Sequence, residues 1–238
     1  MPVREVRKLN NVKINNWLTE TPFEDRVKVG SGYPFSLDDS RVIRFNEKFP
    51  LENKTILELG SLEGALTVGM LMRGAIVTPL DIHEENCRLS KLRCLIYGYE
   101  VSPICMNAAE IRSLDTHKYD AVFHSGLLYH MMYPVLSLKA CYDITNTIYL
   151  ATHYSLHGKQ IYFPETELAY HRHDGISFHC KDVGDSGGKD RISGSSEKSC
   201  WLTRASIMKA LHYAGFTNKK VILDDVKLNH IEILATKE

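Results

Sequence analysis

No charge of either sign dominates this chain: 29 Lys and Arg balance 29 Asp and Glu, for a formal net charge of +0 over 238 residues. That balance argues against a general binder of nucleic acid or of membrane surfaces, although it is compatible with a local basic face. No apolar run is long enough to span a bilayer, so no membrane partner is expected. The first residues, MPVREVRKLNNVK, have no apolar core, and no secretory signal is expected there. The six cysteines (Cys87, Cys94, Cys105, Cys141, Cys180 and Cys200) form no C-x-x-C pair. They read as reduced, structural thiols of a cytosolic protein. There is no internal repeat, and the G-x-G-x-x-G of a dinucleotide cradle does not occur.

What is present is the stretch Thr55 to Thr67, TILELGSLEGALT. Ile56, Leu57 and Leu59 read as a buried strand. Gly60 permits a sharp turn, and Gly64 permits close approach of the backbone to a ligand or a neighbouring element. Glu58 closes the strand at the end where open α/β sheets bind ligands, and a carboxylate there suits a cation better than a pyrophosphate. Ala65 to Met72 read as a helix capped by Gly74. Ala75 to Leu80 read as a second strand ending in Asp81. That acid follows Gly60 by roughly 20 residues, the distance at which a βαβ unit places a carboxylate on a ribose diol. Pro79 is discordant within a strand and is expected where pairing is ending.

Glu58-Leu59-Gly60-Ser61-Leu62-Glu63-Gly64 resembles motif I of class I S-adenosylmethionine-dependent methyltransferases, with Leu62 where a glycine is usual. Gly126-Leu127-Leu128-Tyr129-His130, running on to Pro134, is similar to the segment after the fourth strand of these enzymes. The resemblance covers about residues 50–238. It implies an α/β, Rossmann-like fold: a mostly parallel seven-stranded sheet, helices on both faces, and a long insertion after strand five. It implies S-adenosyl-L-methionine as cofactor, with Glu58, Gly60, Ser61 and Gly64 in the cradle and Asp81 on the ribose hydroxyls. Ile82 would pack on adenine, Asn107 would accept from the adenine amino group beside Ala108, and Ser125 and Gly126 would face the methionine end. Some relatives modify tRNA wobble uridines and others modify small metabolites.

The remainder reads as one domain over residues 1–238. Residues 1–50 show no strong sheet signal; Trp17, Leu18 and Phe23 suggest a short helix, and Gly30-Ser31-Gly32 breaks the chain. The resemblance suggests a lid there, and packing against the sheet is the alternative. Glu84 to Tyr97 read as a helix, with Leu89, Leu92 and Ile96 on one face. Val101 to Met106 read as an edge strand, Tyr119 to Phe123 as the fourth strand, Pro134 to Tyr142 as a helix, and Thr147 to Thr152 as the fifth strand. Residues 156–200, Gly/Ser-rich, read as an irregular insertion beside the acceptor site. Thr203 is expected to cap a helix to Ala214, with Leu202 stapled on Ile207. Val221 to Leu223 and Leu228 to Ala235 read as the last strands, with His230 and Glu232 alternating with Ile231 and Ile233 as on a half-buried strand.

Methyl transfer requires acceptor, methyl carbon and sulfur in line, and a base when the acceptor is a hydroxyl or protonated amine. His130 and His153 both follow strand ends and are the candidate bases; for His130, orienting the loop is the other reading. Tyr129 and Tyr154 are candidate substrate contacts. His171, His173, His179 and Cys180, with Asp174, are competent ligand types, but their spacing fits no closed zinc motif, and no metal is expected. The function expected is methylation of an oxygen or nitrogen of a small-molecule acceptor in the cytoplasm. The alternatives are an RNA- or tRNA-modifying methyl- or carboxymethyltransferase, which is not favoured, and a non-catalytic cofactor-binding module. Oligomeric state is not legible.

Overall fold

The structure is a computed structural model that describes residues 17–18, 21–22, 28–29, 36–114, 119–156 and 167–238. Phe23, the Gly30–Gly32 break and the start of the insertion lie outside the described residues. A short ladder, β1 (Thr21–Pro22) with β2 (Lys28–Val29), precedes helix α1 (Ser40–Lys48). There follow β3 (Thr55–Leu59), α2 (Ala65–Leu71), β4 (Ile76–Asp81), α3 (Glu84–Ile96), β5 (Ile104–Cys105), β6 (Ala121–Ser125), α4 (Pro134–Ile144) and β7 (Thr147–His153). The insertion then contributes β8 (Ala169–His173), β9 (Ile176–Gly184) and β10 (Lys198–Leu202), and the chain ends with α5 (Arg204–Ala214), β11 (Asn218–Asp225) and β12 (His230–Thr236).

The central sheet has seven strands in the order β11-β12-β7-β6-β3-β4-β5. β12 is antiparallel to both neighbours, and the other pairings are parallel. The fold expected from the sequence is therefore the fold observed. Strand periodicity explains why both faces are covered. Along β7, Ile148 and Leu150 join a core beneath α4 and α5, while Tyr149 and Ala151 join the opposite core beneath α1 and α2. The parallel strands end at one edge of the sheet, and the loops that follow them line a single cavity.

Several local expectations hold. Thr203 caps α5 by accepting from Ser206 N, and Gly215 ends that helix at φ 109°. Pro134 occupies the first turn of α4. Pro79, by contrast, does not lie where pairing ends: it stands in register with Glu58 of β3, one residue before β5 begins to pair with Leu80 and Asp81 on the other side. Others are corrected. The third strand shrinks to Ile104–Cys105, and the fourth is displaced to Ala121–Ser125. Trp17 and Leu18 are not helical; Trp17 instead packs on Leu89 and Leu92 with the Arg93 guanidinium 4.7 Å from its ring centre. The insertion is not a patternless loop, because β8, β9 and β10 form an antiparallel sheet. Trp201 and Leu202 belong to that sheet, and Leu202 and Thr203 lead directly from it into α5 as expected.

The largest correction concerns Glu232. It is fully buried and does not face solvent. Helix α1, which the sequence reading missed, covers that face: Phe45 packs 5.3 Å from the Phe123 ring and 4.9 Å from Tyr149. From the same helix, Arg44 Nε donates to Glu232 Oε2 at 2.7 Å, and Tyr149 Oη donates to the same oxygen. Burial alone would raise the Glu232 pKa, but hydrogen bonds from His230, Arg44 and Tyr149 outweigh it and hold the carboxyl at about 2.

Candidate active site

Loops after β3, β4, β5 and β6, the start of α1, and residues 191–198 of the insertion surround a cavity of about 1100 Å³. Drug-sized ligands take pockets of about 300–1,000 Å³, so this one has room for a cofactor and a small acceptor together.

The loop after β3 is held against β4. Gly60 N and Ser61 N both donate to Leu80 O, at 2.9 and 3.0 Å. Leu62 adopts φ 47°, the left-handed conformation that explains why glycine is usual at that place. Its N–H donates to Asp81 Oδ2 at 2.9 Å. The other Asp81 oxygen accepts from His83 N at 2.9 Å and from Asn86 Nδ2 at 3.0 Å. Asp81 is thus a buried carboxylate fixed by three donors at the cavity wall, with lone pairs remaining for a diol. The Ser61 hydroxyl is buried against the same cavity and has no partner among the described residues. Such an orphaned group calls for a bound polar ligand, and the residues present fit a nucleoside-bearing cofactor.

Of the other cofactor residues expected from the sequence, Gly60, Ile82, Asn107, Ala108, Ser125 and Gly126 all line the cavity. Asn107 also caps the short helical turn that follows it, its Oδ1 accepting from Ala109 N at 2.9 Å. Two expected residues do not line the cavity. Gly64 begins α2 at φ 77°, where a Cβ would meet Ser90 Oγ at 2.6 Å, so its glycine serves the packing of α2 on α3. Glu58 is 2 % exposed, lies beneath the loop and accepts from Thr67 Oγ1 in α2. Burial, only partly offset by that hydrogen bond, pushes its carboxyl up to about 8.

The candidate bases are separated by the fold. His130 lines the cavity, and its Nδ1 lies 3.0 Å from Asp185 Oδ2. A carboxylate oxygen accepts, so Nδ1 is the donor of this pair, and in the neutral imidazole that leaves the lone pair on Nε2. His153 does not line the cavity. Its Nδ1 donates to Leu228 O at 3.0 Å, and its ring packs on Tyr129, Trp201 and His230. Burial, and then the charge of His230, lower its pKa. Tyr129 lines the cavity as expected. Tyr154 does not: it is 1 % exposed, and its hydroxyl donates to Asp224 Oδ1 at 3.2 Å.

Sequence reasoning missed four contributors. Asp185 orients His130. Arg41, clamped by Asp39 through Nε at 2.9 Å and Nη2 at 2.8 Å, reaches Ser125 Oγ at 3.3 Å on the cavity wall. Glu63, buried inside the motif itself, meets Arg191 at 3.1 Å and Leu18 N at 2.8 Å. Arg191 O in turn accepts from Asn86 Nδ2 at 2.8 Å, and Ser193 O lies 3.2 Å from His83 Nε2. The insertion is therefore latched to the Asp81 side of the cavity. Only Glu63 carried a local signal, as a charged residue in a loop whose other members face inward.

This strand–loop–helix cradle at the carboxyl edge of a sheet with six parallel strands and one antiparallel strand has the architecture of the class I S-adenosylmethionine-dependent methyltransferase fold. Residues 57–147 match a family model described as a methyltransferase domain. A ubiquinone biosynthesis O-methyltransferase of Saccharophagus degradans is 30% identical over 105 residues, which is 44% of this chain and 44% of that protein. The match thus spans less than half the length of the curated relatives. The crystal structure of the N-terminal domain of EvdMO1 in the presence of SAH and D-fucose is 28% identical with a TM-score of 0.79, covering 100% of this chain and 98% of that one. Against the crystal structure of EvdMO1 itself, the likeness covers 98% of this chain but 47% of the other, with 25% identity and a TM-score of 0.66. No helix among the described residues is long and apolar enough to cross a membrane.

Proposed function

We propose that this domain transfers a methyl group to an oxygen or nitrogen of a small-molecule acceptor, with His130 as general base. The observation that carries the reading is that Ser61, Asp81 and His130, the last held by Asp185, line one cavity. S-adenosylmethionine held there supplies an electrophilic methyl group on a sulfonium. Asp81 and Ser61 hold its ribose end, and the Arg41 guanidinium suits its carboxylate. An acceptor hydroxyl placed against His130 would give its proton to Nε2 as its oxygen takes the methyl group and the methyl–sulfur bond breaks to leave S-adenosylhomocysteine, and Asp185 would stabilise the resulting imidazolium. A base so oriented contributes about 10²- to 10⁴-fold. The EvdMO1 domain, solved in the presence of D-fucose, favours a hydroxylated acceptor, as do the O-methyltransferase relatives.

Calorimetric titration with S-adenosylmethionine and S-adenosylhomocysteine, with NADH as control, tests the cofactor half. A panel of sugars, phenols and amines then tests the acceptor half. Binding of both sulfur ligands, and turnover on a panel member that falls at least about 10²-fold in His130→Ala with unchanged cofactor affinity, is the expected result. Turnover on RNA alone, with salt-dependent binding, would establish the RNA-modifying alternative instead. Full activity of His130→Ala would remove His130 from the chemistry.

A further inference from the structure

The insertion sheet holds a cluster that the cavity does not use. His171 of β8, Cys180 and Asp182 of β9, and Cys200 of β10 present ligand atoms that all lie within 4.8 Å of one another. Register explains the meeting. Cys180 and Asp182 are two residues apart and share a face of β9. Cys200 pairs with Asp182, and His171 pairs with Phe178, which is two residues from Cys180, so all four side chains emerge on the same face. Of the ligand types the sequence offered in this region, which fitted no closed zinc motif, only His171 and Cys180 belong to the cluster. His179 falls on the opposite face, and Asp174 is engaged by Tyr213 and Lys139.

The chemistry of the four is that of a closed metal site. His171 Nε2 is 2.9 Å from Asp182 Oδ1, and Cys180 Sγ is 3.9 Å from the same oxygen. Both thiols are buried and free of any disulfide. Two sulfurs, an imidazole and a carboxylate are all ligands that zinc takes. Tetrahedral bonds of about 2.0–2.3 Å separate such ligands by roughly 3.2–3.8 Å, so the cluster need contract by only about 1 Å at its widest. We propose that His171, Cys180, Asp182 and Cys200 bind one zinc ion in a closed, four-coordinate site that clamps the three strands of the insertion together. None of the four lines the cavity, and no coordination position is left for substrate, so the ion is structural. Its consequence reaches the active site through β10. Cys200 N donates to Met131 O at 2.9 Å, beside His130, and β10 directly continues the 191–198 segment that walls the cavity.

The test uses the full chain, stripped of metal under reducing conditions and refilled with zinc or with cobalt(II). The expected result is one zinc per chain by inductively coupled plasma mass spectrometry after gel filtration. The cobalt form should show thiolate-to-cobalt charge-transfer bands and the intense visible bands of tetrahedral cobalt. Cys180→Ser with Cys200→Ser should abolish both signals, Asp182→Asn should weaken zinc at least tenfold, and Cys105→Ser, at an exposed thiol outside the cluster, should change nothing. If the double cysteine variant does not fold, X-ray absorption of the zinc-loaded native chain decides alone, two sulfur ligands being required. The proposal is overturned if the native chain takes up neither metal with all six thiols titratable. It is also overturned if Cys180 and Cys200 form a disulfide, or if zinc persists in the double variant.

Discussion

Glu58 carries a consequence for stability that can be measured directly. Its carboxyl is fully buried and titrates at about 8 in the folded chain instead of 4.5. Below pH 4.5 both folded and unfolded chains hold the proton, and the stabilisation is complete. As pH rises from 4.5 towards 8, the unfolded chain has released the proton and the folded chain still binds it, so stability falls by about 1.4 kcal/mol per pH unit. His124 works in the opposite sense at lower pH, because burial depresses its pKa to about 4 and the stability it contributes is lost as pH falls below 6.5. The window from pH 6.5 to 8 therefore isolates Glu58. Over those 1.5 units the loss is about 2 kcal/mol, or roughly 4–8 °C in midpoint for a chain of this size. Glu58→Gln cannot ionise and can still accept from Thr67, so its thermal midpoint should stay flat across the window while that of the native chain falls. Parallel curves for the two proteins between pH 6.5 and 8 would refute the argument and show that Glu58 is already ionised when buried.

Asp81→Asn keeps the shape of the cradle but removes its charge; S-adenosylhomocysteine affinity should fall about 10- to 100-fold by calorimetry, the worth of one hydrogen bond to a charged group. Asp81→Ala is the harsher change, because Leu62 N, His83 N and Asn86 Nδ2 all lose their acceptor, and it should lower the thermal midpoint as well. Arg44→Ala leaves Glu232 buried without its main cation and should cost about 3–5 kcal/mol in denaturant unfolding. Arg191→Ala releases the insertion from Glu63 and should weaken cofactor binding about tenfold; it should also lower the midpoint, though less than Arg44→Ala, because the buried Glu63 keeps Arg93.

How much of this was legible follows from how far apart the partners lie along the chain. The cradle could be read because its parts are local. An apolar strand, a left-handed turn and a capped helix are each specified within a dozen residues, and Asp81 lies one βα unit further on. Parallel strands end at a common edge, so residues identified separately as strand ends (Gly60, Asp81, Asn107, Ser125) were bound to meet there. Sequence pattern could not say what covers a strand. Glu232 alternates with Ile231 and Ile233 as a solvent-facing residue would, and only the docking of α1, 188 residues away, makes it a buried ion-pair partner. The same holds for His130 with Asp185, for Arg41 with Ser125, and for the four residues gathered on β8, β9 and β10. By itself the sequence determined the fold class and the strand, turn and acid that bring Gly60 and Asp81 to the cavity, because those rest on short-range periodicity and turn chemistry. Only the tertiary structure decided which histidine reaches the cavity, what latches the insertion over it and where the thiols converge, because those pairings join segments whose spacing carries no period.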